Sequence, residues 1–190
     1  MKAKYSKLML WGAVAGTAVM AGLTAYLLWP GGMTPSEKIE TLVEASRQEA
    51  SGMIIETAHG NIEISFYPED APKTVERIKE LVTQGFYNGL TFHRVEPGFV
   101  VQGGDPRGNG TGGTGKKLPA EFNAHKHIEG TVAMARAGHD PNSADSQFYI
   151  CLGPFPHLDG SYTVFGHVVS GMDAVRAIRP GDKMIHVKLR

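Results

Sequence analysis

Short runs of strand-forming residues recur along most of this chain, and they limit its fold more than any other feature. Eight of them lie between Met53 and Leu189: Met53–Thr57, Ile62–Phe66, Thr91–Val95, Phe99–Gly103, Thr131–Ala135, Gln147–Cys151, Tyr162–Val169 and Met184–Leu189. Turn residues separate many of these runs, as in His59-Gly60-Asn61. Short apolar runs bounded by such residues are typical of β-strands.

Two segments have the period of a helix instead. Met172–Ile178 precedes the last strand-like run, and Pro72–Gln84 places its apolar residues on one face, namely Val75, Ile78, Leu81 and Val82. Eight short strands with two helices do not fit an alternating α/β sheet. The sequence therefore predicts a mainly β fold, an eight-stranded antiparallel closed β-barrel capped by two α-helices.

An uncharged apolar run, Leu8–Trp29, comes before this region and follows three lysines. As a helix rising about 1.5 Å per residue it would reach roughly 33 Å, enough for the ~30 Å hydrocarbon core of a bilayer. A buried core helix is disfavoured because the run has no polar face. A cleaved signal peptide usually has a shorter apolar region, of ~7–15 residues, and remains the alternative. We expect a retained transmembrane signal anchor, with the lysines on the cytoplasmic side.

The predicted organisation has four parts. They are a basic cytoplasmic tail at 1–7, the anchor at 8–29, a linker with a short helix at 30–51 and a folded domain at 52–190. In the linker, Thr34-Pro35-Ser36-Glu37 has the pattern of a capping box, with proline at the first helical position. A helix is therefore expected to begin there and to separate the domain from the bilayer.

Composition excludes several classes of protein. Hydrophobic residues make up 42% of the chain and charged residues 20%, which fits a packed core and not a disordered chain. The formal net charge is zero, with 19 acidic and 19 basic residues, so the basic excess of a nucleic-acid-binding protein is missing. The single cysteine, Cys151, excludes an intramolecular disulfide, and its strand-like surroundings predict a buried thiol.

The glycine-rich segment Gly108–Lys117 contains the spacings of two nucleotide-binding motifs, G-x-G-x-x-G and G-x-x-x-x-G-K. A phosphate-binding loop must lead directly into a helix, whose N-terminus holds the phosphate. Here Lys117 stands where a serine or threonine would ligate magnesium, and Leu118-Pro119 disfavours helical geometry. We expect a tight surface loop, with no nucleotide, although a nucleotide-binding protein remains a rival hypothesis.

No catalytic triad, pair of carboxylates or zinc-ligand spacing is apparent. His125 and His127 are the one ligand-like pair of histidines, and no third ligand lies near them in the sequence. Histidines in loops are more often exposed than metal-bound. We therefore expect neither a metal nor a cofactor.

Polar residues accompany several of the predicted strands. Alternation separates Gln147 and Tyr149 from the apolar residues of their strand, and it puts Arg94 on the same face as Phe92. An isolated strand arginine is usually just solvated. Together with Gln102, however, these side chains favour a wet, half-apolar groove on the outside of the barrel.

The same region contains a series of motifs. They are FHRV-x-PGF-x-x-QGGD from Phe92, GTGG from Gly110, MA-x-A from Met134, SQF-x-I from Ser146 and LDG-x-x-x-VFG from Leu158. In this order they resemble the cyclophilin family of peptidyl-prolyl cis-trans isomerases, over about Met53 to Leu189. The resemblance implies an eight-stranded barrel with two capping helices and a peptide groove bordered by the loop Gly110–Gly113. It implies proline-containing polypeptides as substrates.

The resemblance also implies roles for individual residues. Arg94 looks like the catalytic arginine, and Gln102 like the glutamine that orients it and the substrate. The remaining matches are substrate-binding positions: Phe99, Val100, Tyr149 and Leu158 as walls of a proline pocket, Ala135 and Gln147 as contacts to the peptide backbone, and His157 and Tyr162 at variable groove positions.

Several of these residues depart from the family pattern. Tyr149 stands where phenylalanine is usual, and Val100 replaces a common methionine. Arg136 replaces a common asparagine, while His157 and Tyr162 stand where tryptophan and histidine are common. Weak or absent binding of the inhibitor cyclosporin is expected, because His157 lacks the indole that the inhibitor contacts in sensitive members.

The leading hypothesis is an isomerase anchored in a bacterial inner membrane by one span, with its domain facing the periplasm and assisting the folding of exported proteins. Cleavage of the apolar run would release that domain into the periplasm. The alternative is a module or chaperone that binds proline peptides with little turnover.

Overall fold

The computed structural model describes residues 34–190, except for the side chains of residues 46–49. The predicted tail at 1–7 and the predicted anchor at 8–29 lie outside these residues. Within residues 34–190, no helix has both the length and the apolar character needed to cross a membrane.

Helix α1, Pro35–Glu49, begins at the predicted capping box. The backbone N–H of Thr34 donates to the Glu37 carboxylate (2.7 Å), and the backbone N–H of Glu37 donates to the Thr34 hydroxyl (3.3 Å). The reciprocal bonds satisfy donors that a helix N-terminus leaves unpaired, so the predicted helix start is confirmed.

Residues 49–190 form one compact unit. Its elements are β1 (Gly52–Thr57), β2 (Gly60–Phe66), α2 (Pro72–Thr83), β3 (Arg94–Glu96), β4 (Val100–Gly103), β5 (Thr131–Met134), β6 (Phe148–Cys151), a 3-10 helix (Pro156–Leu158), β7 (Val164–Ser170), α3 (Met172–Ala177) and β8 (His186–Leu189). All eight predicted strands and both predicted helices are present, with ends shifted by up to three residues.

The eight strands form one sheet in the order β3-β4-β6-β5-β7-β2-β1-β8, and every pairing is antiparallel. The predicted closure of the barrel is wrong as stated, since no ladder joins the edge strands β3 and β8 in residues 34–190. The segments before these strands do meet: the isolated bridge between Thr91 and Lys183 and backbone hydrogen bonds between residues 89–92 and 181–184 join them. These contacts precede both strands and do not pair β3 with β8, so the sheet is curled but open, with β3 and β8 as its edges.

Alternate residues of the central strands belong to two different apolar clusters. Phe148 and Ile150 of β6 are fully buried in the large core, together with the predicted inner face of α2. Tyr149 and Cys151 belong to a second cluster on the opposite face, with Val100, Ala133 and Val164. The two clusters explain why β5 and β6 are buried along their whole length. The second cluster underlies the candidate site.

Candidate active site

The register of the sheet aligns site residues from four strands. Arg94 of β3 lies opposite Gln102 of β4, which lies opposite Tyr149 of β6. Tyr149 in turn lies opposite Ala133 of β5. Residues paired directly across antiparallel strands project from the same face, so this row crosses the outer face of the sheet.

A chain of hydrogen bonds follows this row. Nη1 of Arg94 donates to Oε1 of Gln102 (3.2 Å), and Nε2 of Gln102 donates to Oε1 of Gln147 (3.0 Å). Nε2 of Gln147 then donates to the backbone oxygens of Gly110 (3.1 Å) and Gly112 (2.8 Å). Each amide is thereby oriented by the next, and the Arg94 side chain, 45% exposed, keeps other N–H groups open to the groove.

A cavity of about 100 Å³ lies beside Arg94. Seven of the predicted site residues line it, namely Arg94, Phe99, Val100, Ala135, Tyr149, Leu158 and Tyr162. The eighth lining residue is Arg136, whose guanidinium carbon lies 4.7 Å from the centroid of the Tyr162 ring, in a cation–π contact. A pocket of apolar and aromatic walls that also contains two arginines is suited to a small apolar ring attached to a polar backbone.

The other predicted site residues lie next to this cavity. Gln102 and Gln147 line a neighbouring cavity of about 450 Å³, which shares Ala135 and Arg136 with the small one. His157, on the 3-10 helix, stacks on Phe99 with ring centroids 6.1 Å apart. The structure therefore gathers every predicted site residue around one groove.

The glycine-rich loop forms one wall of the larger cavity. It is held by two carboxylates of the protein itself. Asp105, which is 1% exposed, accepts hydrogen bonds from the backbone N–H groups of Arg107 (2.8 Å), Asn109 (3.0 Å) and Gly110 (2.5 Å). Burial on its own raises the pKa of Asp105, but the backbone hydrogen bonds together outweigh this and hold the pKa below its usual value.

Asp145 holds the second half of the loop. Its carboxylate accepts hydrogen bonds from the backbone N–H groups of Thr114 (2.9 Å) and Gly115 (2.7 Å). A Cβ atom at Gly112 would lie 2.0 Å from Asp105 Oδ1, and one at Gly113 would lie 2.6 Å from Asp145 Oδ2. The glycines thus let the loop wrap around internal carboxylates, which occupy the N–H groups that a phosphate would need.

The two histidines considered as metal ligands, His125 and His127, form hydrogen bonds with different partners. Nε2 of His125 lies 2.9 Å from the Asp70 carboxylate, and its ring stacks on Tyr67. His127 bonds to Asp159 and Tyr149, with its side chain fully buried. Among residues 34–190, no group of three or more potential ligands is arranged to hold a metal.

The thiol of Cys151 is not available as an ionised nucleophile. Cys151 lies beneath the groove, and burial, with a smaller contribution from Asp159, raises the pKa of its thiol to about 12. A neutral thiol is a poor nucleophile. The arrangement favours chemistry by hydrogen bonding and shape over covalent catalysis.

Sequence reasoning missed four residues that organise the site: Asp105, Asp145, His127 and Asp159. Asp105 directly follows a Gly-Gly pair and precedes the glycine-rich loop, a position typical of a carboxylate that caps a turn, so its role could have been inferred. The others contact partners more than twenty residues away, so no local pattern reveals their roles, although Asp159 lies in the LDG-x-x-x-VFG motif and His127 in the ligand-like histidine pair.

Comparison with known proteins agrees with this geometry. The sequence model of the family described as "Cyclophilin type peptidyl-prolyl cis-trans isomerase/CLD" matches residues 52–188. The chain is 49% identical over 138 residues to a peptidyl-prolyl cis-trans isomerase of Synechococcus elongatus, covering 72% of this chain and 94% of that protein. It is 50% identical over 130 residues to peptidyl-prolyl cis-trans isomerase B of Bacillus subtilis, covering 67% and 90%.

Solved structures show the same fold. A cyclophilin type peptidyl-prolyl cis-trans isomerase of Cryptosporidium parvum superimposes with a TM-score of 0.70 at 27% identity, covering 74% of this chain and 98% of that one. The same protein crystallised in the presence of the dipeptide Ala-Pro gives a TM-score of 0.66 at 27% identity, over 73% of this chain and 98% of that one. The chain belongs to the cyclophilin family of peptidyl-prolyl cis-trans isomerases.

Proposed function

We propose that this isomerase turns X-Pro peptide bonds without covalent chemistry, by holding the prolyl ring in the 100 Å³ cavity and the peptide along the larger one. The observation that carries the proposal is the position of Arg94, at the rim of the small cavity and hydrogen-bonded to Gln102. The dipeptide present with the Cryptosporidium relative, Ala-Pro, contains one X-Pro bond.

The barrier to be lowered is that of rotation about a partial double bond, ~18–20 kcal/mol. As the bond twists, conjugation is lost and the prolyl nitrogen becomes pyramidal and able to accept a hydrogen bond. A guanidinium N–H directed at that nitrogen stabilises the twisted state more than either planar state. Arg94 supplies this donor and stays charged at any working pH, while Gln102 fixes its direction.

The apolar walls have a separate role. The cavity is surrounded by Phe99, Val100, Tyr149 and Leu158. These side chains enclose the prolyl ring, so the acyl side of the bond is the part that turns. Transfer of the amide from water to this pocket also favours the less polar, twisted state.

The test is the rate of cis-to-trans isomerisation of an X-Pro peptide by the full chain and by Arg94→Ala. We expect kcat/KM to fall by roughly 10²–10³ in the variant, the usual effect of removing one donor to a transition state. The matched control is Arg176→Ala, since Arg176 is engaged by Glu129 and Asp173 and lines neither cavity. Equal loss in both variants, or none in either, contradicts the role of Arg94.

The same assay tests the alternative, a module that binds proline peptides with little turnover. The observations that favour this alternative are the departures from the family pattern at Tyr149 and His157. If the unmodified chain binds the peptide but does not accelerate isomerisation, the groove serves binding. Titration calorimetry with the same peptide supplies the affinity.

We also propose that the apolar run 8–29 is a signal anchor, that 30–51 is a linker, and that the isomerase domain at 52–190 faces the bacterial periplasm, where it assists exported proteins. The support is the length of the run and the lysines before it. The mass of the mature chain and its partition between membrane and soluble fractions test this. A mature chain lacking residues 1–29 contradicts the anchor.

A further inference from the structure

A relay of three hydrogen-bonded side chains, two of them buried, lies behind the wall of the small cavity. Nδ1 of His127 is 3.0 Å from Oδ1 of Asp159, and Nε2 of His127 is 3.1 Å from the hydroxyl oxygen of Tyr149. Tyr149 itself lines the cavity and is 6% exposed, and the His127 side chain is fully buried. The relay therefore connects the pocket wall to a carboxylate outside the pocket.

The partners determine where the protons lie. Asp159 accepts a second hydrogen bond, from the backbone N–H of His127 (2.8 Å), and pairs with Lys126 at 3.2 Å. These contacts, led by the backbone bond, lower the pKa of Asp159 to about 2, so it is a carboxylate that only accepts. Nδ1 of His127 must then carry the proton, and in the neutral imidazole Nε2 accepts the O–H of Tyr149.

We propose that His127 and Asp159 are positioning residues that lock the Tyr149 ring as a wall of the prolyl pocket, and that the lock holds only while His127 is neutral. This inference rests on the proposed prolyl pocket. Tyr149 contacts the substrate, and the other two act through it.

Protonation of His127 would reverse the direction of the hydrogen bond between its Nε2 and the Tyr149 hydroxyl. Both ring nitrogens would then be donors, so the Tyr149 hydroxyl would have to accept from Nε2 and turn its own hydrogen elsewhere. No other hydrogen-bond partner of this hydroxyl is found among residues 34–190. A buried O–H without an acceptor is unfavourable, and rotation of the ring out of the wall relieves that cost.

The groups around His127 set the pH at which this occurs. On one side His127 faces Asp159, with its partner Lys126, and His157 on the 3-10 helix. On the pocket side it faces Tyr149 and Tyr162, and Cys151 belongs to the same cluster as both tyrosines. Burial is the largest influence and lowers the pKa of His127, and it outweighs the opposing effect of Asp159. The unlocked state is therefore expected in mildly acidic solution, below the usual histidine range near 6.5.

A second pocket tyrosine supplies the matched control. Tyr162 lines the same cavity and packs edge-on against Tyr149, with ring centroids 5.7 Å apart. In residues 34–190 its hydroxyl makes no hydrogen bond. Tyr162→Phe therefore removes a hydroxyl from the same pocket and leaves the relay intact.

The experiment measures kcat and KM of the full chain for an X-Pro peptide between pH 8 and pH 5, for the unmodified protein, Tyr149→Phe and Tyr162→Phe. In the unmodified protein we expect KM to rise about three- to tenfold on acidification, the effect of one lost hydrogen bond, with little change in kcat. Tyr149→Phe should already have the raised KM at pH 8. It should lack the acid limb, which is the rise in KM at low pH. Tyr162→Phe should keep the acid limb.

Three results overturn the proposal: a flat KM profile in the unmodified protein, an unchanged acid limb in Tyr149→Phe, or loss of the limb in Tyr162→Phe. If Tyr149→Phe does not fold, nitrogen NMR of the unmodified protein decides. A His127 ring protonated at Nδ1 at pH 8 supports the relay, and one protonated at Nε2 overturns it.

Failure of this inference is distinguishable from failure of the proposed function. An inactive protein at pH 8 contradicts the isomerase site, whereas an active protein with a flat KM profile contradicts only the relay.

Discussion

The guanidinium of Arg94 donates a 3.2 Å hydrogen bond to Gln102, its direct partner across the β3–β4 hairpin. Gln102→Met keeps the length of the side chain but removes the acceptor that directs Arg94 and the donor that directs Gln147. We expect kcat/KM to fall roughly 5- to 30-fold, the equivalent of one to two hydrogen bonds. Steady-state kinetics of X-Pro isomerisation measure the loss. It should appear mainly in kcat, because Arg94 stabilises the twisted state of the peptide bond.

The control for this variant is Glu96→Gln, since Glu96 is the other partner of Arg94. Its carboxylate lies 3.4 Å from Nε of Arg94, and both side chains are about half exposed. Surface pairs of this kind contribute ~0–1 kcal/mol, so the rate should change by less than about fivefold. A larger loss in Glu96→Gln than in Gln102→Met would contradict the assignment of Gln102 as the residue that orients Arg94.

The glycine-rich loop depends on close approach to Asp105. In Gly112→Ala the new Cβ would overlap Asp105 Oδ1, and that atom cannot withdraw without releasing the backbone N–H of Arg107. We expect the free energy of unfolding to fall by about 2–4 kcal/mol. KM should also rise, because the backbone oxygen of Gly112 accepts a hydrogen bond from Gln147. Urea unfolding and peptide titration measure the two effects.

Gly138→Ala is the matched comparison. A Cβ at Gly138 meets no atom within 4 Å, and its backbone conformation suits any residue. Stability within ~0.5 kcal/mol of the unmodified protein is expected. Equal behaviour of the two variants would show that the loop tolerates displacement of Asp105.

Stability should depend on pH because one histidine is fully buried and two are partly buried. Burial lowers the pKa of His93, His127 and His167 below the usual 6.5, so the unfolded chain binds protons that the folded chain does not. The stability that these residues contribute is complete above about pH 6.5 and is lost as the pH falls through their lowered pKa values. Urea midpoints at pH 7.5 and pH 5 measure this loss, and equal midpoints would contradict it.

Carboxylates act in a lower range of pH. The pKa of Asp159 is lowered from 3.8 to about 2, so its contribution is complete above pH 4 and disappears as the pH falls towards 2. The free energy of unfolding should therefore fall in two ranges of pH, an upper one from histidines and a lower one from carboxylates. Urea midpoints measured at intervals from pH 8 downwards resolve them.

The strands could be predicted because their composition and turns are local properties. Closure of the sheet could not, since it depends on whether the ends of β3 and β8 meet, which is decided by distant pairings. Alternation also failed in one place. It put Arg94 and Phe92 on one face, whereas Phe92 is fully buried in the core and Arg94 is exposed, because β3 begins only at Arg94.

The site was predictable for a different reason. Arg94, Gln102, Gln147 and Tyr149 lie in motifs that resemble a known family, and the sheet brings them together as the resemblance implied. The relay of His127 was not visible, since its partners are 22 and 32 residues away along the chain. Contacts of a loop residue such as His127 with partners at such distances follow no period along the sequence.

Cyclosporin should bind weakly, as the resemblance implies for a chain with His157 and Tyr162 in the groove. His157 stacks on Phe99 from the 3-10 helix and borders the small cavity without lining it. His157→Trp would add apolar area and an indole donor at this edge, and we expect inhibition to strengthen by about tenfold or more, the equivalent of ~1.4 kcal/mol. Competition between cyclosporin and an X-Pro substrate measures it. Nanomolar inhibition of the unmodified protein would show that the groove accepts the inhibitor without the indole, and that this position does not decide affinity.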